Sequence, residues 1–204
     1  MIDLSTFKST INFFDFTYKN MHMDKINIPL ILKVDAKLLA DEIHIMKKYK
    51  IYQDLDGCLV DFENGYHQYT GVPCKGVLGE DGNWVNGPDF WKLIDYVDFW
   101  AELDWMSDGR ELWNYISRYD VEILSAPSKS ETSTLGKKAW MSQHLPYTPL
   151  NLVPRWKKME FAGPNHILID DMTTTIDEWN RKGGIGILHT TTENTIKQLK
   201  ELGL

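Results

Sequence analysis

Apolar and polar positions follow two periods along this chain. Short runs rich in Ile, Val and Leu at 51–53, 121–124, 150–153, 166–169 and 185–188 end at polar or glycine-rich punctuation and read as buried strands. Between them, apolar residues recur at the three-to-four spacing of amphipathic helices. That spacing predicts helices over 62–69, 108–118, 130–144 and 191–202, and another from Asp170-Asp171 to Arg181. Ser130 suits an N-cap, with Pro146 just past the end of its helix. Asp171 or a following threonine is expected to cap the helix that Gly183-Gly184 breaks. Upstream, Leu38, Leu39, Ile43, Ile45 and Met46 mark an amphipathic helix over 34–49 that feeds the first strand. Residues 1–25 carry Phe7, Phe13, Phe14, Phe16 and Tyr18 without a period, as in a docking arm or an extra packing layer.

Strands that alternate with helices predict an α/β, Rossmann-like, three-layer fold with a parallel sheet covered on both faces. Residues 62–105 interrupt the alternation. A helix is followed by Gly71, Pro73, Gly76, Gly79, Gly82, Gly87 and Pro88, then by a short helix from Pro88 to Tyr96 and the aromatics Phe99, Trp100 and Trp105. The expected organisation is therefore an N-terminal extension at 1–50 with a helix packing on the core, a core of 51–61 and 106–204, and a small, mainly helical insertion at 62–105.

Composition narrows the function classes. With 204 residues and 43% hydrophobic content, the chain can bury one domain core. A formal charge of −7 argues against stable nucleic-acid binding, which relies on Lys and Arg to neutralise phosphates. Its apolar runs are too short to cross a bilayer, and the first residues lack a basic stretch leading into a long apolar one, so a cytoplasmic protein without membrane attachment is expected. Two cysteines, Cys58 and Cys74, form no disulfide framework and no zinc set.

The candidate chemistry sits at the strand ends. Side chains alternate along a strand, so Asp54 and Asp56 point to one side, and two converging carboxylates repel unless a cation or a shared proton lies between them. An acidic surface turn is the alternative. A calcium loop of the EF-hand type fails on spacing, because Gly57 is fourth where the sixth position is required. Ser125 ends the second core strand and Asp170-Asp171 a later one. In parallel α/β sheets ligands bind outside the carboxyl ends of the strands, where all these groups would meet.

The ordered set Asp54-Leu55-Asp56-Gly57 with Asp61, Ser125, a helical lysine and Asp170-Asp171 resembles the haloacid dehalogenase superfamily of phosphohydrolases. Closer still is a resemblance to the 5'(3')-deoxyribonucleotidases, carried by Asp54 to Glu63, Phe99-Trp100-Ala101-Glu102-Leu103, Ile123 to Lys129, Lys137 to Leu145 and Leu168 to Asp171. It covers the chain from Ile51 onward. The resemblance implies Asp54 as nucleophile, Asp56 as general acid and base, Ser125 as a phosphate donor and Lys137, three residues before Trp140, as a charge-neutralising cation. It implies Mg2+ held by Asp54, the Asp56 carbonyl and Asp170 or Asp171, with Asp171 favoured as the direct ligand. Lys129, Arg155 and Lys157 match phosphate contacts, and the insertion matches the superfamily cap. Phe62 matches the family's base-side phenylalanine, and Trp84, Phe90, Trp91, Phe99 and Trp100 are further stacking candidates. Asp61 is read as support for the turn into the insertion. A nucleotide as small-molecule substrate and a homodimer follow from the same resemblance.

Two departures stand out. Ser125-Ala126-Pro127 lacks the second hydroxyl of the family's Thr-Ser-Pro, and the first fifty residues have no counterpart. Two alternatives stay open from the residues: a phosphatase of another small phosphate ester, and a protein that sequesters a signalling nucleotide without turnover. Intact Asp54 and Asp56 weigh against the second.

Overall fold

The computed structural model describes residues 49–74 and 89–204, together with the backbone of Val77–Leu78 and Trp84–Val85. The expectations for residues 1–48 and for the Trp84 side chain lie outside the described residues. In chain order the elements are β1 (Lys50–Gln53), α1 (Phe62–Thr70), β2 (Val77–Leu78), β3 (Trp84–Val85), α2 (Val97–Ala101), α3 (Gly109–Ile116), β4 (Asp120–Ser125), α4 (Glu131–His144), β5 (Leu150–Leu152), β6 (His166–Asp170), α5 (Thr173–Arg181), β7 (Ile185–Leu188) and α6 (Thr192–Glu201). The described residues also include two 3-10 segments, Lys92–Ile94 and Arg155–Phe161.

Five strands form one parallel sheet in the order β5-β4-β1-β6-β7, so the strand that ends at Asp54 is central. The sheet is apolar on both faces, as a parallel sheet under two helical layers must be. On one face Ile51, Ile123, Ile167, Ile169 and Ile187 pack with Leu112 and Ile116 of α3 and Leu199 of α6. On the other, Tyr52, Leu124 and Leu168 pack on Ile176 and Trp179 of α5. The Trp179 indole N–H donates to the His166 carbonyl at 3.1 Å, so the largest side chain of that layer is buried without an unmet donor. No helix of the described residues is long and apolar enough to cross a membrane.

Beyond β1 the chain makes a tight loop. Gly57 takes a positive φ of 71°, and the amides of Leu59 and Val60 both donate to the Leu55 carbonyl, at 2.8 and 2.9 Å. Asp61 then caps α1, accepting from the Asn64 amide at 3.1 Å. Gly71 closes α1 in the left-handed conformation. The chain returns where the Met106 amide donates to the Leu59 carbonyl at 2.8 Å. Within this excursion the described residues include the antiparallel pair β2 and β3 besides helices.

Two local expectations need correction. The helix expected from Pro88 to Tyr96 is one 3-10 turn followed by α2, because the Asp95 carboxylate is drawn to the start of α4, where it accepts from Ser130 Oγ and, at 2.6 Å, from Thr132 Oγ1. Helix α5 begins after Met172 rather than after an Asp171 or threonine cap, since Asp170 Oδ1 already accepts from the Met172 amide at 2.9 Å.

Helix α2 lies directly on α4 at Gly136. A Cβ there would stand 2.3 Å from Trp100 Cβ and 2.6 Å from the Val97 carbonyl oxygen. Alanine at a helix interior normally gains about 1 kcal/mol over glycine. Overpacking against backbone costs about 1–3 kcal/mol and wins here. Gly136→Ala is therefore expected to lower the midpoint of thermal or urea unfolding, whereas Gly71→Ala, with open space around it, acts only through its left-handed backbone.

Candidate active site

The carboxyl ends of β1, β4 and β6 bring the acidic and hydroxyl groups together. Asp54 follows β1 directly, and its amide donates to the Ile169 carbonyl of β6 at 2.9 Å, which ties the residue to the strand that carries Asp170. Asp54, Asp170 and Asp171 each offer a carboxylate oxygen within 4.8 Å of the other two. Asp54 and Asp170 are buried and Asp171 is exposed at the mouth.

Charges this close in a poorly solvated place need a counter-charge. The protein supplies one from the 3-10 segment at 155–161. Lys158, only 2% exposed, puts Nζ 2.7 Å from Asp170 Oδ2 and 3.0 Å from Asp54 Oδ2. Burial by itself would lower the lysine's pKa, but Asp54 and Asp170 reverse that and hold it above the ordinary lysine range. One cation does not balance three carboxylates. Burial, and then repulsion from Asp54, raises the pKa of Asp170 despite Lys158; the residue Asp171 is open to solvent on one side, but its carboxyl is poorly solvated where it faces Asp54 and Asp170, and this with their charges pushes it up to about 7.

A second buried lysine serves the other aspartate. Lys137 of α4 is 3% exposed, 2.6 Å from Asp56 Oδ2 and 5.3 Å from the centre of the Trp100 ring. Asp54 Oδ1, Asp56 Oδ1 and Ser125 Oγ are all buried with no hydrogen-bond partner among the described residues. Unmet buried acceptors grouped at one edge are what a charged ligand would satisfy. The oxygen-only donors Asp54, Asp170 and Asp171 suit a hard divalent cation such as magnesium. Gly57 is shaped by this cluster, since a Cβ on it would lie 2.3 Å from Asp171 Oδ2.

A cavity of about 900 Å3 reaches the cluster at Asp171 and is lined also by Gly57 and by Phe62, Asn64 and His67 of α1. Phe62 both lines it and stacks on Trp100 at 5.4 Å. Phe90, Phe99 and Trp100 are buried core, while Trp91 is exposed. Lys129 is exposed on the segment after β4.

Arg155 and Lys157 are not brought to the aspartates. Arg155 forms a fork with Glu178 at 2.8 and 3.3 Å, and Lys157 lies 5.2 Å over the Trp156 ring. Among the described residues, the lysine of this segment that reaches Asp54 is Lys158, which the reading by sequence passes over in favour of its neighbour. The physical reason is the period: in a 3-10 turn residues three apart share a face, so Lys158 takes the face of Arg155 and Lys157 turns outward. Gln53, whose fully buried amide donates to the Asp54 carbonyl at 2.8 Å, was also hidden, because it interrupts an apolar strand pattern that reads as core.

No family model and no curated protein matches the chain. Several solved structures do. A hydrolase from Streptococcus pneumoniae TIGR4 aligns at 13% identity and a TM-score of 0.46, over 75% of this chain and 99% of that one. A HAD-superfamily hydrolase, subfamily IA, variant 1, from Geobacter sulfurreducens aligns at 14% identity and 0.44, over 75% and 97%. A phosphonoacetaldehyde hydrolase-like protein from Oleispira antarctica aligns at 14% identity and 0.43, over 76% and 85%.

The raised pKa of Asp171 has a consequence for stability. Its folded value of about 7 lies above the unfolded value of 3.8, so the folded state holds this proton more tightly and the associated stability is lost as pH rises through about 7. In metal-free protein, Asp171→Asn is expected to raise the melting temperature above pH 7 and to change it little below pH 4. A pH series of thermal melts on both proteins reads the difference.

Proposed function

We propose that this protein is a magnesium-dependent phosphatase of a small nucleotide monophosphate, a deoxyribonucleoside 5'- or 3'-monophosphate, acting through an aspartyl-phosphate. The observation that carries the reading is Asp54: a strand-end carboxylate with one oxygen held by Lys158, the other buried without a partner, in a cluster of acids beside a cavity of substrate size.

A carboxylate in that state is a competent nucleophile toward phosphorus. Asp54 forms a bond to phosphorus as the bond to the leaving oxygen breaks, and Asp56 gives that oxygen its proton. Asp56, now a carboxylate, takes a proton from water, the water oxygen attacks the aspartyl-phosphate, and inorganic phosphate and free Asp54 result. Lys137 beside Asp56 stabilises its ionised form after the proton has left, and Lys158 beside Asp54 neutralises charge at the nucleophile. Ser125 donates its hydroxyl to a phosphoryl oxygen. Bound at Asp54, Asp170 and Asp171, magnesium supplies charge neutralisation between an anionic nucleophile and an anionic phosphate.

The nucleotide side of the proposal rests on the sequence resemblance and on Phe62 at the cavity wall, where an aromatic face can meet a base. Phosphate release from a panel of deoxyribonucleotides, ribonucleotides and sugar phosphates is expected to be greatest for deoxyribonucleoside monophosphates and to stop with EDTA. Asp54→Asn is expected to lose about a thousandfold or more of kcat. Tight binding of a nucleotide with no release from any substrate would overturn the enzymatic reading, and release from sugar phosphates alone would change the substrate.

A further inference from the structure

Gln53 breaks the pattern of the sheet at its centre. Its neighbours in register are Ile123 of β4 and Ile169 of β6, and Ile51 precedes it on the same face, all three fully buried. A branched aliphatic residue would complete that surface. Instead an amide is buried there with 0% exposure. Its Nε2 donates to the backbone carbonyl of Asp54 at 2.8 Å, and its Oε1 has no partner among the described residues.

For stability alone this is a poor arrangement. An unmet buried acceptor is destabilising, whereas an apolar side chain of the same shape at such a position is near neutral or better. The one bond that Gln53 does make falls on the peptide joining Asp54 to Leu55. Register pairing of β1 with both neighbours ends at Gln53, so this peptide lies just past the ladder. The Asp54 amide is tied to Ile169, and the Gln53 side chain ties the carbonyl on the other side of the same residue. With both peptides flanking its Cα held, the Asp54 side chain leaves the sheet in one direction.

We propose that Gln53 is a positioning residue for the nucleophile: its amide clamps the Asp54 carbonyl and fixes the line along which the carboxylate meets phosphorus. The inference rests on the phosphatase reading above. Gln53 acts through Asp54 and touches no substrate, so its loss removes transition-state stabilisation and leaves ground-state binding alone.

The test compares wild type, Gln53→Leu and Gln53→Met with magnesium and p-nitrophenyl phosphate, recording kcat, KM and melting temperature. The expected result is a fall in kcat of about ten- to a hundredfold in both variants at unchanged KM, with a melting temperature equal to or above that of wild type. Two variants guard against one that fails to fold. Wild-type kcat in either folded variant overturns the proposal, and so does a loss of kcat accompanied by a fall in melting temperature, which marks a structural role. Wild type that turns over neither p-nitrophenyl phosphate nor any nucleotide or sugar phosphate of the panel overturns the phosphatase reading and this inference with it, an outcome distinct from active wild type with indifferent variants.

Discussion

The charge balance around Lys158 is the constraint on which the site depends. Three carboxylates converge where the central strands end, and taking such groups out of water is unfavourable unless each meets a counter-charge or a proton. Lys158 meets Asp54 and Asp170 together, and removal of one partner from a buried pair costs about 3–5 kcal/mol because it strands the other charge. Asp171 lies outside that pair, and poor solvation together with the charges of Asp54 and Asp170 raises its pKa to about 7. The protein alone therefore underpays the cluster in positive charge, and a divalent cation at these oxygens would complete the balance.

The same balance gives the two aspartates of the strand exit different surroundings. Asp54 and Asp56 are two residues apart on one strand exit, yet each has its own lysine from a different element: Lys158 from the 3-10 segment after β5 and Lys137 from α4. Asp54, beside Lys158, is the buried one of the two. Asp56, paired with Lys137, has a side chain that is 28% exposed. The distinction comes from surroundings rather than from residue type.

Much of this was legible in the sequence, and the limits have physical causes. All five core strands carry their own apolar runs, and central parallel strands have to, because both faces are buried. Asp54, Asp56, Ser125, Asp170 and Asp171 stand out in the sequence because strand-end polarity is a local signal, whereas Lys137, inside a helix, is singled out only by the register with Trp140 that the resemblance supplies. Lys158 is not, since a seven-residue 3-10 segment has neither the period of a strand nor that of an α-helix, and two adjacent lysines differ only in phase. The start of α5 departs from the expected cap at Asp171 or a threonine because the Met172 amide donates to Asp170 Oδ1, a contact that no local pattern marks.

Helix α4 joins the excursion at 62–105 to the acid chemistry. One stretch of it, Gly136-Lys137, does two things on adjacent residues: the missing Cβ of Gly136 admits Trp100, and Lys137 passes over the same indole to Asp56. One turn later the Trp140 indole donates to the Leu103 carbonyl at 2.9 Å, and at the start of the helix Ser130 and Thr132 hold Asp95. The excursion's returning half is thus fastened along the length of the helix that positions the acid's counter-charge. Trp100 in turn stacks on Phe62, which lines the cavity. An unbroken series of packed side chains runs from the cavity wall through Trp100 to Lys137 and Asp56, so Phe62 at the wall and Asp56 at the strand exit are set by one packing arrangement.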